Sequence, residues 1–348
     1  MPASAAIDTT KLVKGLNRLA EIAFACVYSQ AFQAAFDLGV FEALSDGLTK
    51  SDDVAKRINI HPTGCRRLLM ALVNMGLVER EGEAFRNSEL GSLCSSRSPV
   101  NLGPVSNIKP FDHMSEYLPE ALREYAPQWQ QSIGVTARDA FAALYTDPVR
   151  LRRFAALMNA MSVPQGHVIA EAFDFTPYTC IMDVAGGPGG QIIPIGLRHA
   201  HLRGIVTDLE PVCVVAREQI SASGLGDRFT AVAADLVEGP YPSGADVILL
   251  GHILHDWNDD TCRRILRNCA SALPSGGALL ISESVLANDY SGSTLAHIKD
   301  LLMLVANEAG ARERSEREYQ SLLNETGFRF SHLLRPDAPR DLLVARKR

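Results

Sequence analysis

The chain has 348 residues, of which 47% are hydrophobic and 21% charged, so it can bury a sizeable core and is long enough for two domains. Its formal net charge of -6 argues against a general binder of nucleic acids or membrane surfaces, which would carry a basic excess. The seven cysteines contain no Cys-x-x-Cys pair, which predicts a reduced, cytoplasmic protein with neither a disulfide framework nor a zinc site.

The first predicted element is a long helix over residues 11–38, with apolar side chains on nearly every side. A helix of that kind must be buried all round, and so early in a chain a second copy of the protein is the obvious cover. We therefore predict a homodimer that forms through the N-terminal helices; burial within the same chain is the alternative. Residues 22–44 resemble a membrane span, but Gln30, Gln33 and Asp37 would be costly in lipid, so no membrane contact is expected.

Residues 48–85 follow the order helix, turn, helix, strand, turn and strand, which predicts a winged helix. A winged helix alone suggests DNA binding, here with Arg66 and Arg67 on its second helix. The charges around them are mixed and form no basic stripe, so we expect a packing role and no nucleic-acid partner. We place this helical dimerisation domain at residues 1–105 and a second domain at residues 106–348.

Further helices are predicted beyond that boundary. One covers residues 111–124, and two cover residues 137–161, divided near Asp147 and Pro148 because proline breaks a helix interior. The latter two helices have apolar faces, from which Tyr145 and Met161 could reach a ligand pocket.

A glycine-rich loop is the most informative stretch of the chain. A largely apolar run at residues 178–185 reads as a buried parallel strand, four glycines occur at residues 186–190, and a helix can start at Ile192. Strand, glycine turn and helix form the nucleotide-type site of a doubly wound sheet. Glycine lets the backbone turn sharply and lets a ligand come close, so the pattern favours a small-molecule site over an ordinary turn.

Four more strands are predicted at residues 202–207, 229–234, 246–250 and 277–282. Ligands of a doubly wound sheet bind at the carboxyl ends of its parallel strands, so we expect the residues that follow the strands to converge. Asp208 lies about 20 residues past the glycine loop, where such folds place a carboxylate that accepts ribose hydroxyls.

Two histidines and two acids stand out in this half of the chain. His255 follows the fourth strand and is a candidate general base, while Glu283 ends the fifth strand among apolar residues, where an acid is rarely buried without a task. His252 and His255 have a spacing that metal ligands could use, but no third ligand is nearby, so no metal is predicted. Glu313, flanked by two arginines, reads as part of a solvated charge run.

One further motif gives the chain a family resemblance. The segment Leu254-His255-Asp256-Trp257, followed by Asp259-Asp260-Thr261-Cys262, resembles the bacterial and plant small-molecule O-methyltransferases that use S-adenosylmethionine, as does the loop at residues 183–189. These enzymes are of the caffeic acid and acetylserotonin type, and the resemblance covers nearly the whole chain. It implies an α/β fold of the class I methyltransferases, with a Rossmann-like doubly wound sheet and an N-terminal helical, winged-helix dimerisation domain.

The resemblance also implies roles for individual residues. His255 matches the catalytic base, and Glu283 and Glu313 match its two supporting acids. The chain departs from the family at Ala185, where a glycine is usual, and at Gly251, where a lysine is usual. The predicted cofactor-binding residues are Tyr145, Met161, Asp183, Ala185, Gly186, Gly187, Asp208, Leu209, Asp235, Leu236, Gly251 and His252.

The residues expected to form the wall of the acceptor site are mostly apolar or aromatic, which favours a flat, ring-containing molecule. They are Phe111, His113, Met114, Trp129, Met158, Asp256, Met303 and Asn307.

The implied reaction moves a methyl group from S-adenosylmethionine to a hydroxyl of an aromatic small molecule, leaves S-adenosylhomocysteine, and belongs to secondary metabolism. One alternative is a family member that uses the cofactor for hydroxylation, decarboxylation or cyclisation. A second is a nicotinamide-linked oxidoreductase, although Pro188 removes a backbone N–H that a pyrophosphate would use. A third is a winged-helix DNA-binding regulator, against which the acidic balance counts.

Overall fold

The computed structural model describes residues 8–107 and 113–348, and the chain divides into two compact units between residues 107 and 108. In the described residues, the first unit is helical with one hairpin, and the second is built on a seven-stranded sheet. Phe111, a predicted wall residue of the acceptor site, lies outside the described residues.

The helix predicted over residues 11–38 is in fact two helices, α1 (Thr9–Ala23) and α2 (Ala25–Leu38), bent by 44° around Phe24. The expectation that it is apolar on all sides is wrong for α1, because basic residues at positions 11, 14 and 18 share one side of the helix. No residue of α1 is buried, so burial within the same chain is also wrong for α1, whereas Gln33 and Ala35 of α2 are buried. Among the described helices none alone is long and apolar enough to cross a membrane. Helices α1 and α2 together would be long and apolar enough, but they form a bent pair.

The first unit contains the expected helix–turn–helix and hairpin. Its second helix starts at a proline, whose fixed φ suits the first helical position. The hairpin strands are antiparallel, and Leu69, Leu72 and Phe85 are buried between helices and hairpin. The remaining elements of this unit are α3 (Val40–Ser45), α4 (Ser51–Arg57), α5 (Pro62–Asn74), β1 (Val78–Glu81), β2 (Ala84–Asn87), α6 (Glu89–Ser92) and a 3-10 turn (Gly103–Ser106).

The helices that precede the large sheet differ in part from the prediction. A single helix over residues 111–124 is wrong: residues 113–115 are helical, but a turn at residues 116–117 separates them from the next helix. The break at Pro148 is confirmed, and the Asp147 side chain caps the following helix. That helix continues past Pro164, well beyond residue 161. These helices are α7 (Leu118–Glu124), α8 (Trp129–Ile133), α9 (Ala137–Thr146) and α10 (Pro148–Ala172).

All five predicted parallel strands are present in one sheet, with the order β5-β4-β3-β6-β7-β9-β8. The strand order reverses direction between β3 and β6, which is the switch point where doubly wound sheets bind ligands. β9 runs antiparallel between β7 and β8. The strands are β3 (Cys180–Val184), β4 (Arg203–Asp208), β5 (Phe229–Ala233), β6 (Val247–Gly251), β7 (Ala278–Glu283), β8 (Phe328–Leu334) and β9 (Asp341–Lys347).

Helices cover both faces of this sheet, so its central strands are apolar throughout. Successive strand residues point into different cores: Met182 lies in one and Ile181 in the other, as do Leu250 and Leu249. The covering helices after β3 are α11 (Ile192–Arg198), α12 (Glu210–Ala222), α13 (Asp259–Ala272), α14 (Thr294–Ala306) and α15 (Glu316–Glu325).

Candidate active site

The glycine-rich loop follows β3 at the carboxyl edge of the sheet. Ala185 has a φ of +53°, so it adopts the left-handed conformation that glycine would adopt freely, at a cost of about 1 kcal/mol. A Cβ atom on Gly186 would lie 2.6 Å from Cγ of Asp183, so only glycine fits at that position. The Gly187 N–H donates to Oδ2 of Asp208 at 2.9 Å. This hydrogen bond thus connects the glycine-rich loop, which follows β3, to the end of β4.

Two of the predicted acids lie beside this loop. Asp183 is buried, and burial together with the charge of Asp208 raises its pKa to about 8, although Arg340 opposes the shift. Burial also raises the pKa of Asp208 to about 6, against hydrogen bonds from the backbone N–H groups of Leu209 and Gly187. Both acids therefore favour a bound donor or cation nearby.

The residues that follow β5 are more exposed than Asp183, which lies beside the glycine-rich loop. Asp235 is exposed, and its Oδ1 accepts the backbone N–H groups of Val237 and Glu238, both at 2.8 Å. Leu236 is half-buried beside the core, and Leu209 is exposed. Their contact with an adenine ring stays a prediction.

His255 lies beside three acids, of which Glu283 and Glu313 are buried and Asp256 is half-buried. It sits in a 3-10 turn after β6 and is 4% exposed. Its Nδ1 is 2.9 Å from Oε1 of Glu313 and 3.7 Å from Oε2 of Glu283. Its Nε2 is 3.4 Å from Oδ1 of Asp256. The hydrogen bond to Glu313 fixes the ring orientation and leaves Nε2 as the nitrogen available for proton transfer.

The second acid holds the backbone around His255. Oε1 of Glu283 accepts the N–H groups of Ile253 and Leu254, at 2.9 and 3.0 Å. Its Oε2 is buried and makes no hydrogen bond with the described residues. Glu283 therefore contributes charge to the histidine and anchors its loop, while Glu313 makes the direct hydrogen bond.

These surroundings change the proton affinity of the histidine. Burial alone would lower the pKa of His255, but the negative charges of Glu283, Asp256 and Glu313 outweigh it and raise the pKa to about 9. Burial and repulsion from Glu283 and Glu313 raise the pKa of Asp256 to about 6, against the favourable effect of His255. In the free protein at neutral pH the imidazole thus carries a proton on both nitrogens.

The expectation that Glu313 belongs to a solvated charge run is wrong. Arg314 is fully buried: its guanidinium binds Asp259 at 2.9 Å and the backbone carbonyls of Leu254 and Trp257 at 2.6 Å. These bonds tie the segment of Glu313 to the loop of His255. Only the family resemblance indicated a role for Glu313, because the local pattern of charges predicts a solvent-exposed segment.

Two buried cations near the acids were not predicted. Nζ of Lys299, on α14, donates to Oγ of Ser284 and lies 3.9 Å from Oε1 of Glu313. Arg340 precedes β9; burial lowers its pKa to about 10 despite the charges of Glu283, Glu313 and Asp183. These cations offset part of the negative charge around His255.

His252 and Gly251 lie between these cations and the glycine loop. His252 has a φ of +60°, its ring centre lies 4.7 Å from that of His255, and its Nε2 is 3.4 Å from Nζ of Lys299. Burial and the charges of Arg340, His255 and Lys299 all lower the pKa of His252, which favours its neutral form. A Cβ atom on Gly251 would overlap the amide at the end of the Gln191 side chain, so a larger residue requires that amide to move.

One group among the described residues could hold a metal ion: the ligand atoms of His255, Glu283 and Glu313 lie within 4.8 Å of one another. The Nδ1 to Oε1 distance of 2.9 Å is that of a hydrogen bond. A metal ion there would have to replace that bond between His255 and Glu313.

Helices α9 and α10 carry three predicted residues, of which Tyr145 and Met161 have charged groups of the site as neighbours. Burial and the charges of Asp208 and Asp256 raise the pKa of Tyr145 to about 12. Met158 and Met161 are half-buried on α10, and Arg340 donates to the carbonyl of Met161 at 2.9 Å. The structure thus brings these residues to the same edge of the sheet as the glycine loop.

The predicted acceptor residues fall into two groups. Nδ2 of Asn307 lies 2.8 Å from Oδ1 of Asp256 and 2.9 Å from Sδ of Met303, which connects these residues to the His255 cluster. Met114 is buried in a separate apolar cluster against α14, and His113 is exposed beside Glu116. In that cluster Trp129 also donates to the carbonyl of Ala306, a bond within the core.

Two domain families match the sequence. Residues 115–329 match the O-methyltransferase domain, and residues 20–97 match the O-methyltransferase dimerisation domain. The chain belongs to the O-methyltransferase family. Membership of this S-adenosylmethionine-dependent family, the enzyme class and the α/β fold with its helical N-terminal unit are therefore confirmed as predicted.

Individual O-methyltransferases are similar along nearly their whole length. The chain is 32% identical over 317 residues to 3-hydroxy-5-methyl-1-naphthoate 3-O-methyltransferase of Streptomyces sahachiroi, covering 89% of this chain and 88% of that enzyme. It is 31% identical over 332 residues to acetylserotonin O-methyltransferase of Gallus gallus, covering 92% and 94%. The crystal structure of human N-acetylserotonin methyltransferase in complex with S-adenosylmethionine matches with a TM-score of 0.86 at 27% identity, covering 100% of this chain and 99% of that one.

Proposed function

We propose that this O-methyltransferase methylates a phenolic hydroxyl of an aromatic small molecule, with His255 as the general base. The hydrogen bond of 2.9 Å between His255 Nδ1 and Glu313 Oε1 carries the proposal. It orients the ring so that Nε2 can take a proton, and it supplies a carboxylate to stabilise the imidazolium. Proton abstraction from a hydroxyl is the chemistry that this pair can perform.

The residues at the carboxyl edge of the sheet fit S-adenosylmethionine. Each oxygen of Asp208 accepts one backbone hydrogen bond and keeps a lone pair for a ribose hydroxyl. We assign the adenine to Asp235 and Leu236, and the remainder to the loop at residues 185–187 with Tyr145 and Met161 nearby. When bound, the cofactor supplies an electrophilic methyl group on a positively charged sulfur.

Proton transfer then depends on His255 and its neighbours. A phenol has a pKa near ~10, and an imidazole with an ordinary pKa of about 6.5 can take its proton as the oxygen attacks. In the free protein the pKa of His255 is raised to about 9, so the ring must first lose a proton. Any positive charge bound in this crevice lowers that pKa and prepares the base. Glu313 then stabilises the proton that Nε2 receives from the acceptor.

The acceptor is assigned to the side of the cluster that Asp256 faces. Met303 and Asn307 connect to Asp256, and Met158 lies on the helix above the loop. We propose that these residues line the acceptor site, whereas a role for His113 and Met114, which lie in the other group, stays a prediction. The two relatives named above act on a hydroxynaphthoate and on acetylserotonin, both ring systems, which supports an aromatic acceptor.

We also propose that the protein acts as a cytoplasmic homodimer. Residues 20–97 match a dimerisation domain, and the apolar side of α1 is exposed along its whole length. The cytoplasmic location is supported by the seven cysteines, all of which are free.

Calorimetry with S-adenosylhomocysteine, and NAD as the control ligand, tests the cofactor assignment. Saturable binding of S-adenosylhomocysteine is expected, with a much lower affinity in Asp208→Ala. Heat from NAD with none from S-adenosylhomocysteine would contradict the proposal.

Turnover of His255→Ala tests the base, with a panel of phenols that includes a hydroxynaphthoate and N-acetylserotonin. We expect turnover to fall by about 10²-fold or more, while the affinity for S-adenosylhomocysteine changes little. The exposed His332→Ala is the matched control and should keep full turnover. Near-normal turnover in His255→Ala would refute the role of this histidine.

A further inference from the structure

Gln191 is a buried polar side chain that neither the motif nor the mechanism uses. It lies directly after the glycine-rich loop and is 4% exposed. Its Oε1 is buried and makes no hydrogen bond within the part of the chain that the structure describes. A buried acceptor without a donor is unfavourable, so a donor from outside the described residues, such as a bound ligand, would stabilise it.

Three segments hold this side chain in place. A Cβ atom on Gly251, at the end of β6, would overlap the Gln191 amide, and one on Gly166 of α10 would lie 2.6 Å from the Gln191 carbonyl oxygen. A Cβ atom on Gly190 would lie 2.8 Å from Cβ of Ser162, also on α10. Glycines thus allow α10, the loop and β6 to close around Gln191, and its amide reaches the end of β6.

The amide lies at the switch point of the sheet. β3 and β6 are neighbours, and the chain leaves their carboxyl ends through the loop at residues 185–190 and through Gly251. Asp208 lies at the end of β4, on the other side of β3. A ligand whose ribose is held by Asp208 and which extends across the switch point would therefore meet Gln191 with its opposite end.

We infer that Gln191 Oε1 accepts a hydrogen bond from the α-ammonium group of the methionyl part of S-adenosylmethionine. This inference rests on the proposed function, since it assumes that Asp208 holds the ribose and Asp235 the adenine. The ammonium is then the remaining donor on the molecule, and it is charged. The uncharged amide oxygen of Gln191 can bind the ammonium without placing another negative charge beside Asp183. Burial and the charge of Asp208 already raise the pKa of that acid.

Two ligands that differ only in the amino-acid part separate this contact from the shape of the pocket. S-adenosylhomocysteine carries the ammonium, whereas 5′-methylthioadenosine has the same adenosine and a thioether without the amino acid. Calorimetry of both ligands with the wild type and with Gln191→Met, which keeps the unbranched shape and removes the amide, measures the contribution of Oε1.

We expect the Kd of S-adenosylhomocysteine to rise about tenfold or more in Gln191→Met, as for the loss of a hydrogen bond to a charged group. The Kd of 5′-methylthioadenosine should stay within about twofold. The Tm of the free variant should equal or exceed that of the wild type, because no buried acceptor is left unpaired. The increase in Tm on adding S-adenosylhomocysteine should shrink.

An unchanged affinity for S-adenosylhomocysteine in Gln191→Met would overturn the inference alone. An equal loss for both ligands would also overturn it, since Gln191 would then support only the pocket wall. A wild type that fails to bind S-adenosylhomocysteine would overturn the proposed function as well, so the two failures are distinguishable.

A pair of variants checks the geometry independently of the ligand. Gly251→Ala should lower the Tm of the free protein, because its Cβ atom would overlap the amide of Gln191. The double variant Gln191→Ala, Gly251→Ala should recover most of that loss. Absence of recovery would show that Gln191 does not occupy the space beside Gly251, and would overturn the inference.

Discussion

Two buried glutamates act differently on His255. Glu313 forms a hydrogen bond with the ring, while Glu283 accepts two backbone N–H groups of the loop that carries it. Both raise the pKa of the histidine by their charge. Only Glu313 also sets the ring orientation, so the two acids are not interchangeable.

Replacing Glu313 with glutamine should change both the rate and its pH dependence. The variant removes one negative charge, which lowers the pKa of His255 and makes its neutral form available at lower pH. The acid limb of the pH profile of kcat/KM should therefore move toward lower pH. The amide cannot stabilise the imidazolium as a carboxylate does, so kcat should fall by about 10²-fold.

Profiles of kcat/KM against pH for the wild type and Glu313→Gln check this prediction. Glu171→Gln, which removes an exposed carboxylate, is the matched control and should leave the profile in place. A limb that moves toward higher pH in Glu313→Gln would show that Glu313 is not the partner of His255.

Sequence reasoning located those candidate residues that follow the end of a strand; their roles stay predictions. Asp208, His255 and Glu283 all follow predicted strands, and parallel strands bring their carboxyl ends together. Lys299 and Arg340 could not be found in this way, since Lys299 lies within a helix and Arg340 precedes an antiparallel strand. Their burial depends on how α14 and β9 pack against the parallel strands, which no local pattern encodes.

At the scale of elements, the parallel strands were predicted more reliably than the helices, while the antiparallel strands β8 and β9 were not predicted. Each parallel strand is a short apolar run, which a buried strand requires. The sequence pattern predicted neither the bend at Phe24 nor the continuation of α10 past Pro164. Proline ended a helix at one position and was accommodated at another, so residue type alone does not set helix ends.

The prediction of a homodimer depends mainly on helix α1. One side bears exposed apolar residues and the other bears basic ones, as in a helix that covers a partner. A charge within the apolar side, as in Leu16→Glu with Leu19→Glu, should abolish the dimer, because two buried carboxylates per protomer would lack partners.

Light scattering after gel filtration measures this effect. The wild type should have the mass of two chains, and the double variant that of one. Lys14→Glu, on the basic side, is the control and should remain dimeric. A double variant that stays dimeric would exclude α1 as the main interface.

At the scale of the whole molecule, the buried charges make stability depend on pH. The folded-state pKa of His255 is about 9, above its ordinary value of 6.5, so its contribution is full below pH 6.5 and is lost as pH rises toward 9. The pKa of Asp183 is raised to about 8, so folding is increasingly disfavoured as pH rises from about 4 to 8. Between pH 6.5 and 8, both groups therefore lower the free energy of unfolding as pH rises.

The Tm should therefore fall as pH rises from 6.5 to 8, where each such group removes up to about 1.4 kcal/mol per pH unit. Asp183→Asn cannot ionise, so its Tm should decline less steeply over the same range. Thermal scans of both proteins at several pH values check this prediction. Parallel curves for the two proteins would show that Asp183 is not the source of the slope.

The position of β9 has a consequence for the order in which the ribosome makes the site. β9 covers one edge of β7, and Arg340 reaches the acids from just before it. During synthesis β7 emerges well before β9. Until β9 follows, the apolar edge of β7 has no neighbouring strand, and the acids Asp183, Glu283 and Glu313 lack the charge of Arg340. A nascent chain paused in that interval presents an open strand edge to its neighbours on the same message. Chaperone demand in the cell should therefore be greatest in the interval between the emergence of β7 and that of β9.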